Sequence, residues 1–430
     1  MIRKQLTVTF LVLLWATHIN ANDFYNWFST ASCRVDFHFT GNASSTSVSI
    51  HRIKQEPVWG GRTSKTDEFM NLGEYRFQVT DSATSKLLYV DGFSSLFFEW
   101  QTTPEAKKLQ RSFESTLLFP FPKKAVKVSI EKRKGFDSWE VINTFQISPS
   151  DKLIIKNKPV DAKIKEIQNN CSPNKAIDIV VIAEGYTASE REKFFVDAQK
   201  LADNLFTHEP FSRYKSRINL HAVAAVSAEN EISMPHKDIW RNTALGAHYY
   251  TFYEPRYLTS PNVFSIRDYA SLVPYDAIYI LANTSTYGGG GIYNFYALAS
   301  AHSDRAKAEV IVHEFGHSFA GLADEYFYDK EDVFDEMYAL NKEPWEPNIT
   351  TMVQFDKKWK AELPQNCPIP TPLTDETKTQ KTGLFEGGGY RTKGIYRPSY
   401  DCRMRTNNAP GFCSVCEKAV EKMIVFLTEE

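Results

Sequence analysis

The sequence predicts a multidomain α+β chain, with an N-terminal β-sandwich-like domain followed by a larger α/β domain. Three observations predict it. Residues 22–150 alternate apolar and polar side chains in short runs separated by turn residues, the signature of half-buried strands. At Ile177–Ala183 the alternation gives way to an almost unbroken apolar run, which marks a strand covered on both faces. Beyond it, strand patterns alternate with helical ones, as layered α/β structures require.

Length and composition fit this division. At 430 residues the chain exceeds one ordinary core, and 42% hydrophobic with 24% charged residues is usual for a globular protein. A formal charge of −2 gives no electrostatic footprint for nucleic acid or for an anionic membrane. Residues 1–21 read as a secretory signal: Arg3 and Lys4 supply the positive end, Leu6–Ala16 the apolar stretch and Ala21 a small residue for cleavage. The stretch is too short for a membrane span, so the mature chain is expected to have no transmembrane segment. Removing the signal takes two positive charges and no acids, giving −2 − 2 = −4. No cysteine directly follows the stretch, the nearest being Cys33, so a free exported protein, secreted or periplasmic, is expected.

Within 22–150 the expected strands include Cys33–Thr40, Tyr75–Thr80, Lys86–Val90, Lys127–Glu131 and Trp139–Ile142, and nothing there suggests catalysis. Residues 151–174, Lys-rich and containing Ser172-Pro173, read as a linker to a second domain over 175–430. In that domain Ser189–Phe206 has a helical apolar face, with Thr187 or Ser189 as its cap. Ile218–Val226 and Asp276–Ala282 supply further strands. The aromatic segment 227–270 reads as a surface excursion, and 327–400 as a long irregular, cleft-forming segment. Glu417–Leu427 closes the chain as an amphipathic helix. The six cysteines, with Cys413-x-x-Cys416 among them, are expected to form disulfides or to stay inert; a metal or redox role stays open for that pair.

The chemistry concentrates on one helix. Ser303 or Asp304 can cap a helix through Ala306–Ala320 that stops at Gly321. Ala308, Val312, Phe315, Phe319 and Leu322 form a stripe about 80° wide, and His313 and His317 fall on the opposite side. His313-Glu314-Phe315-Gly316-His317 is an H-E-x-x-H pattern. Imidazoles one turn apart can share a tetrahedral zinc, and the Glu beside the first sits next to the activated water, so Glu314 is the candidate base. A salt-bridged surface pair is the plainer alternative for the two histidines. A catalytic site also needs a third ligand and an open fourth position.

The stretch from His313 to Tyr326, HEFGHSFAGLADEY, resembles the signature of the IgA-peptidase-like family of metallopeptidases. The resemblance implies an N-terminal β domain, a metzincin-like zinc peptidase domain and a protein or peptide substrate. It also implies that Asp324, after the turn at Gly321, is the third metal ligand, with Glu325 as the rival. Tyr400-Asp401-Cys402-Arg403-Met404-Arg405 resembles the Met-turn, in which Met404 would floor the site. In metzincin-like folds the strand before the helix lines the cleft and pairs with substrate. Ile292–Ala297 is where that strand should run, which makes Gly290, Gly291, Ile292 and Tyr293 substrate-binding candidates. Tyr326, Tyr396 and Tyr400 are candidate oxyanion donors. A second reading, motivated by the aromatic N-terminal domain, is an exported or cell-surface glycan- or protein-binding protein with a structural or vestigial zinc. A third keeps the enzyme and gives it a non-peptide amide or ester.

Overall fold

A computed structural model describes residues 21–156, 160–301, 309–328 and 337–429. The apolar part of the signal and the expected cap residues Ser303 and Asp304 lie outside the described residues.

After a short helix α1 (Ala21–Trp27), seven strands build two facing sheets: β1 (Phe28–Gly41), β2 (Thr46–Glu56), β3 (Tyr75–Asp81), β4 (Leu87–Phe93), β5 (Arg111–Pro122), β6 (Val126–Gly135) and β7 (Ser138–Ile147). One sheet has the order β5-β1-β2, extended by the two-residue β8 (Ile155–Lys156); the other runs β4-β3-β6-β7. Aromatic rings interleave between them, as where Phe39 meets Tyr75 with centroids 4.5 Å apart. Burying such rings supplies most of this domain's driving force. The helix α2 (Leu96–Gln101), capped by Ser95, adds Phe97 and Trp100 to the same core.

The segment expected as a linker adds an edge strand to each unit. Its first half is β8, parallel to β2, and its second half is β9 (Lys163–Gln168). The second sheet contains β10 (Ile177–Glu184), β11 (Ile218–Ala224), β12 (Ala277–Ala282), β13 (Gly289–Ile292) and β14 (Tyr296–Ser300), in the order β13-β14-β12-β10-β11-β9. The four inner strands are parallel and the two edges antiparallel. Every residue of β10 is buried, as its apolar run requires.

Side chains alternate along β10 between two cores. Ile177, Ile179 and Val181 meet α3 (Arg191–Leu205), α5 (Val310–Ala320) and the final helix α7 (Ser414–Thr428). Val180 and Ile182 face segment 227–270 and the sandwich. That segment is therefore a covering layer rather than a surface excursion. It carries α4 (Val263–Ala270) and buries Leu245, Ala247, Tyr249 and Leu258. Its anchor is the buried Glu184 carboxylate, which accepts from Thr243 Oγ1, Leu245 N and Ala247 N at 2.6, 2.8 and 2.7 Å. Between α5 and α7, segment 337–400 is largely irregular but contains a hairpin of β15 (Phe385–Gly388) and β16 (Arg391–Arg397) and a single-turn helix α6 (Asp375–Lys378). No helix among the described residues is long and apolar enough to cross a membrane.

All six cysteines are free, the second of the two outcomes expected for them. The nearest pair, Cys402 and Cys416, keeps its sulfurs 3.7 Å apart, well beyond the bonding distance of about 2.05 Å. The strand expected over Ile292–Ala297 is two strands. The chain turns at Tyr293–Phe295, because Asn294 takes a left-handed φ of 49° and its side chain donates to Gly92 O at 2.8 Å.

The two domains are joined by buried charge. Arg34, fully buried on β1, binds Asp36 at 2.6 Å, Glu56 at 3.0 Å and, across the boundary, Asp268 at 2.8 Å. Arg34→Ala strands these carboxylates and should cost about 3–5 kcal/mol of stability in urea denaturation. A loss below about 1 kcal/mol contradicts this role.

Candidate active site

Helix α5 buries Val312, Phe315 and Phe319 in the core and turns His313 and His317 toward a cleft. Gly321 ends the helix in the left-handed conformation, φ 63°, where a Cβ would lie 2.6 Å from the Trp345 ring. The chain therefore doubles back. Asn348 holds the return by accepting from Ala323 N at 2.7 Å and donating to Ala323 O at 2.9 Å. That return brings Asp324 under the two imidazoles.

His313 Nδ1 donates to Arg403 O at 2.9 Å, and His317 Nδ1 donates to Leu322 O at 2.5 Å. A carbonyl only accepts, so both Nδ1 atoms carry protons and both Nε2 lone pairs face the cleft. The two Nε2 atoms are 3.0 Å apart. Asp324 Oδ1 lies 3.0 and 3.2 Å from them. Three electron-pair donors thus meet with nothing of opposite charge between them unless a proton or a cation intervenes. Two imidazole nitrogens and one carboxylate oxygen form a donor set suited to zinc, and the residues present fit that ion. Burial alone would lower both imidazoles, but the Asp324 carboxylate outweighs it and holds them above the ordinary histidine value. Burial likewise opposes ionisation of Asp324, and the histidines win, holding it far below the carboxylate range.

Tyr390 fixes the other Asp324 oxygen, donating from its hydroxyl to Oδ2 at 2.5 Å. Met404 is fully buried against the helix at Gly316, where a Cβ would come within 2.8 Å of its sulfur. Glu314 faces the same cleft. Burial, reinforced by Asp324 and Glu99, pushes its carboxyl up to about 8 against the pull of His313. A cation among the three donors would lower it again. Glu325 points elsewhere, with Oε1 accepting from Asn348 at 2.9 Å and from Cys416 Sγ at 3.2 Å.

The cleft holds about 440 Å³. Strand β13 forms one wall and presses directly on the helix: a Cβ on Gly289 would lie 2.5 Å from Glu314 Oε1, and one on Gly291 2.2 Å from Glu314 O. Only glycine allows that approach. Gly290, Gly291, Ile292 and Tyr293 all border the cleft, but Ile292 and Tyr293 are buried, and Tyr293 O is taken by Ser94 N of the sandwich at 2.9 Å. The outward groups of Gly289 are already bonded to Arg256 O and Leu258 N, at 3.3 and 3.1 Å. Of the three nominated tyrosines, Tyr326 borders the cleft beside His313, while Tyr396 and Tyr400 do not.

Several participants carry no local signal in the sequence. The carbonyls of Arg403 and Leu322 cannot be read from side-chain identity. Glu74 and Glu99 come from the sandwich; burial pushes Glu99 up to about 8 although Tyr257 donates to it. Tyr390 directly follows the glycine bend Gly387–Gly389, the one local signal for it, whose last residue donates its N–H to Asp324 O at 2.9 Å.

Three donors turned to one point in an open cleft, with a carboxylate beside them, define the class of metal-dependent hydrolases. Comparison with protein families agrees: residues 165–381 and 373–424 match the family described as IgA Peptidase M64, and residues 23–144 match Peptidase M64 N-terminus. The chain belongs to the IgA Peptidase M64 family and is a metallopeptidase. No curated protein matches it.

Removing the Tyr390 hydroxyl with Tyr390→Phe frees one Asp324 oxygen and should weaken affinity for a divalent metal about 10–100-fold in a chelator competition. Unchanged affinity would show that Asp324 needs no such support.

Proposed function

We propose that this chain is an exported zinc endopeptidase with a metzincin-like catalytic domain, acting on a protein or peptide substrate. The observation that carries the reading is the convergence of His313 Nε2, His317 Nε2 and Asp324 Oδ1 within 3.2 Å beside Glu314. In this reading the three side chains hold the ion, and the backbone carbonyls behind the histidines keep their lone pairs aimed at it. Bound there, zinc supplies Lewis acidity, polarising a carbonyl and acidifying water. Glu314 takes the proton from the attacking water and carries it to the leaving amine. Tyr326 stays protonated through burial and can donate to the developing oxyanion. Met404 keeps the floor of the site apolar and dry. An extended peptide lies along β13 at Gly291, past the part of the edge covered by Arg256–Leu258. Arg3, Lys4 and the apolar stretch after them support export.

The binding-protein alternative expects a fourth protein ligand that closes the site. Among the described residues no further His, Cys, Asp or Glu joins the three, and this supports an open, catalytic position.

The test is cleavage of a peptide library read by mass spectrometry, for the wild type and for Glu314→Ala. The variant should keep its zinc and lose at least about 10²–10⁴ in rate, the usual worth of a general base. Zinc-loaded Glu314→Ala that cleaves at the wild-type rate removes Glu314 from the mechanism, and a wild type that cleaves no peptide removes the endopeptidase reading.

A further inference from the structure

Behind the cleft, on the far side of the Asp324 turn, a second group of metal-ligating side chains comes together. Glu325, Cys402, Cys413 and Cys416 are all buried, and one ligand atom from each lies within 4.8 Å of all the others. None of the four borders the cleft. The Cys402 and Cys416 sulfurs are 3.7 Å apart, and Cys416 Sγ is 3.2 Å from Glu325 Oε1. A tetrahedral zinc with Zn–S bonds of ~2.3 Å and a Zn–O bond of ~2.0 Å sets its ligands about 3.8 Å apart, sulfur to sulfur, and about 3.5 Å apart, sulfur to oxygen. The sulfur pair has the spacing of two ligands on one ion rather than of a covalent bridge, and the sulfur–oxygen pair, now a hydrogen bond, would open by about 0.3 Å to take one.

A second observation is independent of the spacing. Glu325 is fully buried, and its Oε2 has no hydrogen-bond partner. An unpaired carboxylate oxygen in the interior is costly, and a cation would offset that cost. The surroundings also suit thiolates. Cys413 is the N-cap residue of α7 and Cys416 sits in its first turn, at the positive end of a helix of 15 residues. Cys413 N donates to Cys402 Sγ at 3.2 Å.

We propose that Glu325, Cys402, Cys413 and Cys416 form a second metal site, closed and structural, that binds a thiophilic divalent cation such as zinc. Four protein ligands leave no position for water or substrate, so the site does not catalyse. Its position gives its role. Glu325 follows Asp324 directly, and its N–H donates to Met404 O at 2.8 Å. Cys402 precedes Arg403, whose carbonyl orients His313. Cys413 and Cys416 belong to α7. One ion therefore ties together the turn that carries Asp324, the loop that orients His313 and the last helix. In an oxidising compartment it would also protect three neighbouring thiols from an odd-numbered disulfide exchange.

The experiment uses the full-length chain carrying His313→Ala and His317→Ala, so that only the second site can bind. After reduction and zinc loading, elemental analysis should find one zinc per chain. Cobalt in its place should give thiolate-to-metal charge-transfer absorption, and three thiols should become reactive only after a chelator is added. Adding Cys402→Ser and Cys416→Ser should abolish the metal and the absorption. If these serine variants fail to fold, the histidine variant decides alone. No bound zinc with the thiols reduced, or a Cys402–Cys416 disulfide in the protein as purified, overturns the proposal. The proposed peptidase centre fails separately: the wild type would then hold a single zinc that resists loss in the histidine variant and is lost on thiol modification.

Discussion

Two imidazole nitrogens and a carboxylate oxygen held about 3 Å apart need a proton or a cation between their lone pairs, and much of the surrounding structure exists to hold them there. Each component of that hold is a backbone device. Two carbonyls accept the far ring protons and turn the lone pairs inward, Gly321 reverses the chain within one residue, and Asn348 braces the return. Without an ion, the Asp324 carboxylate holds protons on the imidazoles and they hold it ionised; a cation at the convergence would take the place of those protons.

The N-terminal sandwich is part of the same construction. It bonds the turn after β13 through Ser94 and Asn294, and that turn sets where the glycine strand meets Glu314. It also contributes Glu74 and Glu99 to the cleft wall, and Trp345 of the catalytic domain donates to Glu74 at 2.9 Å. The buried Arg34 cluster then fixes the angle between the two units. A module whose sequence suggested no part in catalysis thus shapes the chamber in which a substrate would lie.

Legibility followed the range of the interaction. The fully buried β10 and the helix of His313 and His317 were readable because their patterns repeat locally, at spacings set by strand and helix geometry. Strands β2 and β5 escaped delimitation, since long edge-facing strands carry mixed polarity on both faces. Segment 227–270 was misread for a different reason: its irregular backbone is tied down by Glu184, some 60 positions earlier, and no local pattern announces such an anchor. The same holds for the cysteines. Cys413-x-x-Cys416 lacked a second pair in the sequence, yet folding brings Cys402 and Glu325 to it from separate segments.

The account stands or falls on whether one ion is shared by the three side chains. The most direct measurement is diffraction from zinc-loaded crystals on both sides of the zinc absorption edge. An anomalous peak equidistant from His313 Nε2, His317 Nε2 and an Asp324 oxygen, at about 2.0–2.2 Å from each, is the predicted result. Loaded crystals with no peak there, or with the two rings rotated apart and joined only by protons, would contradict it.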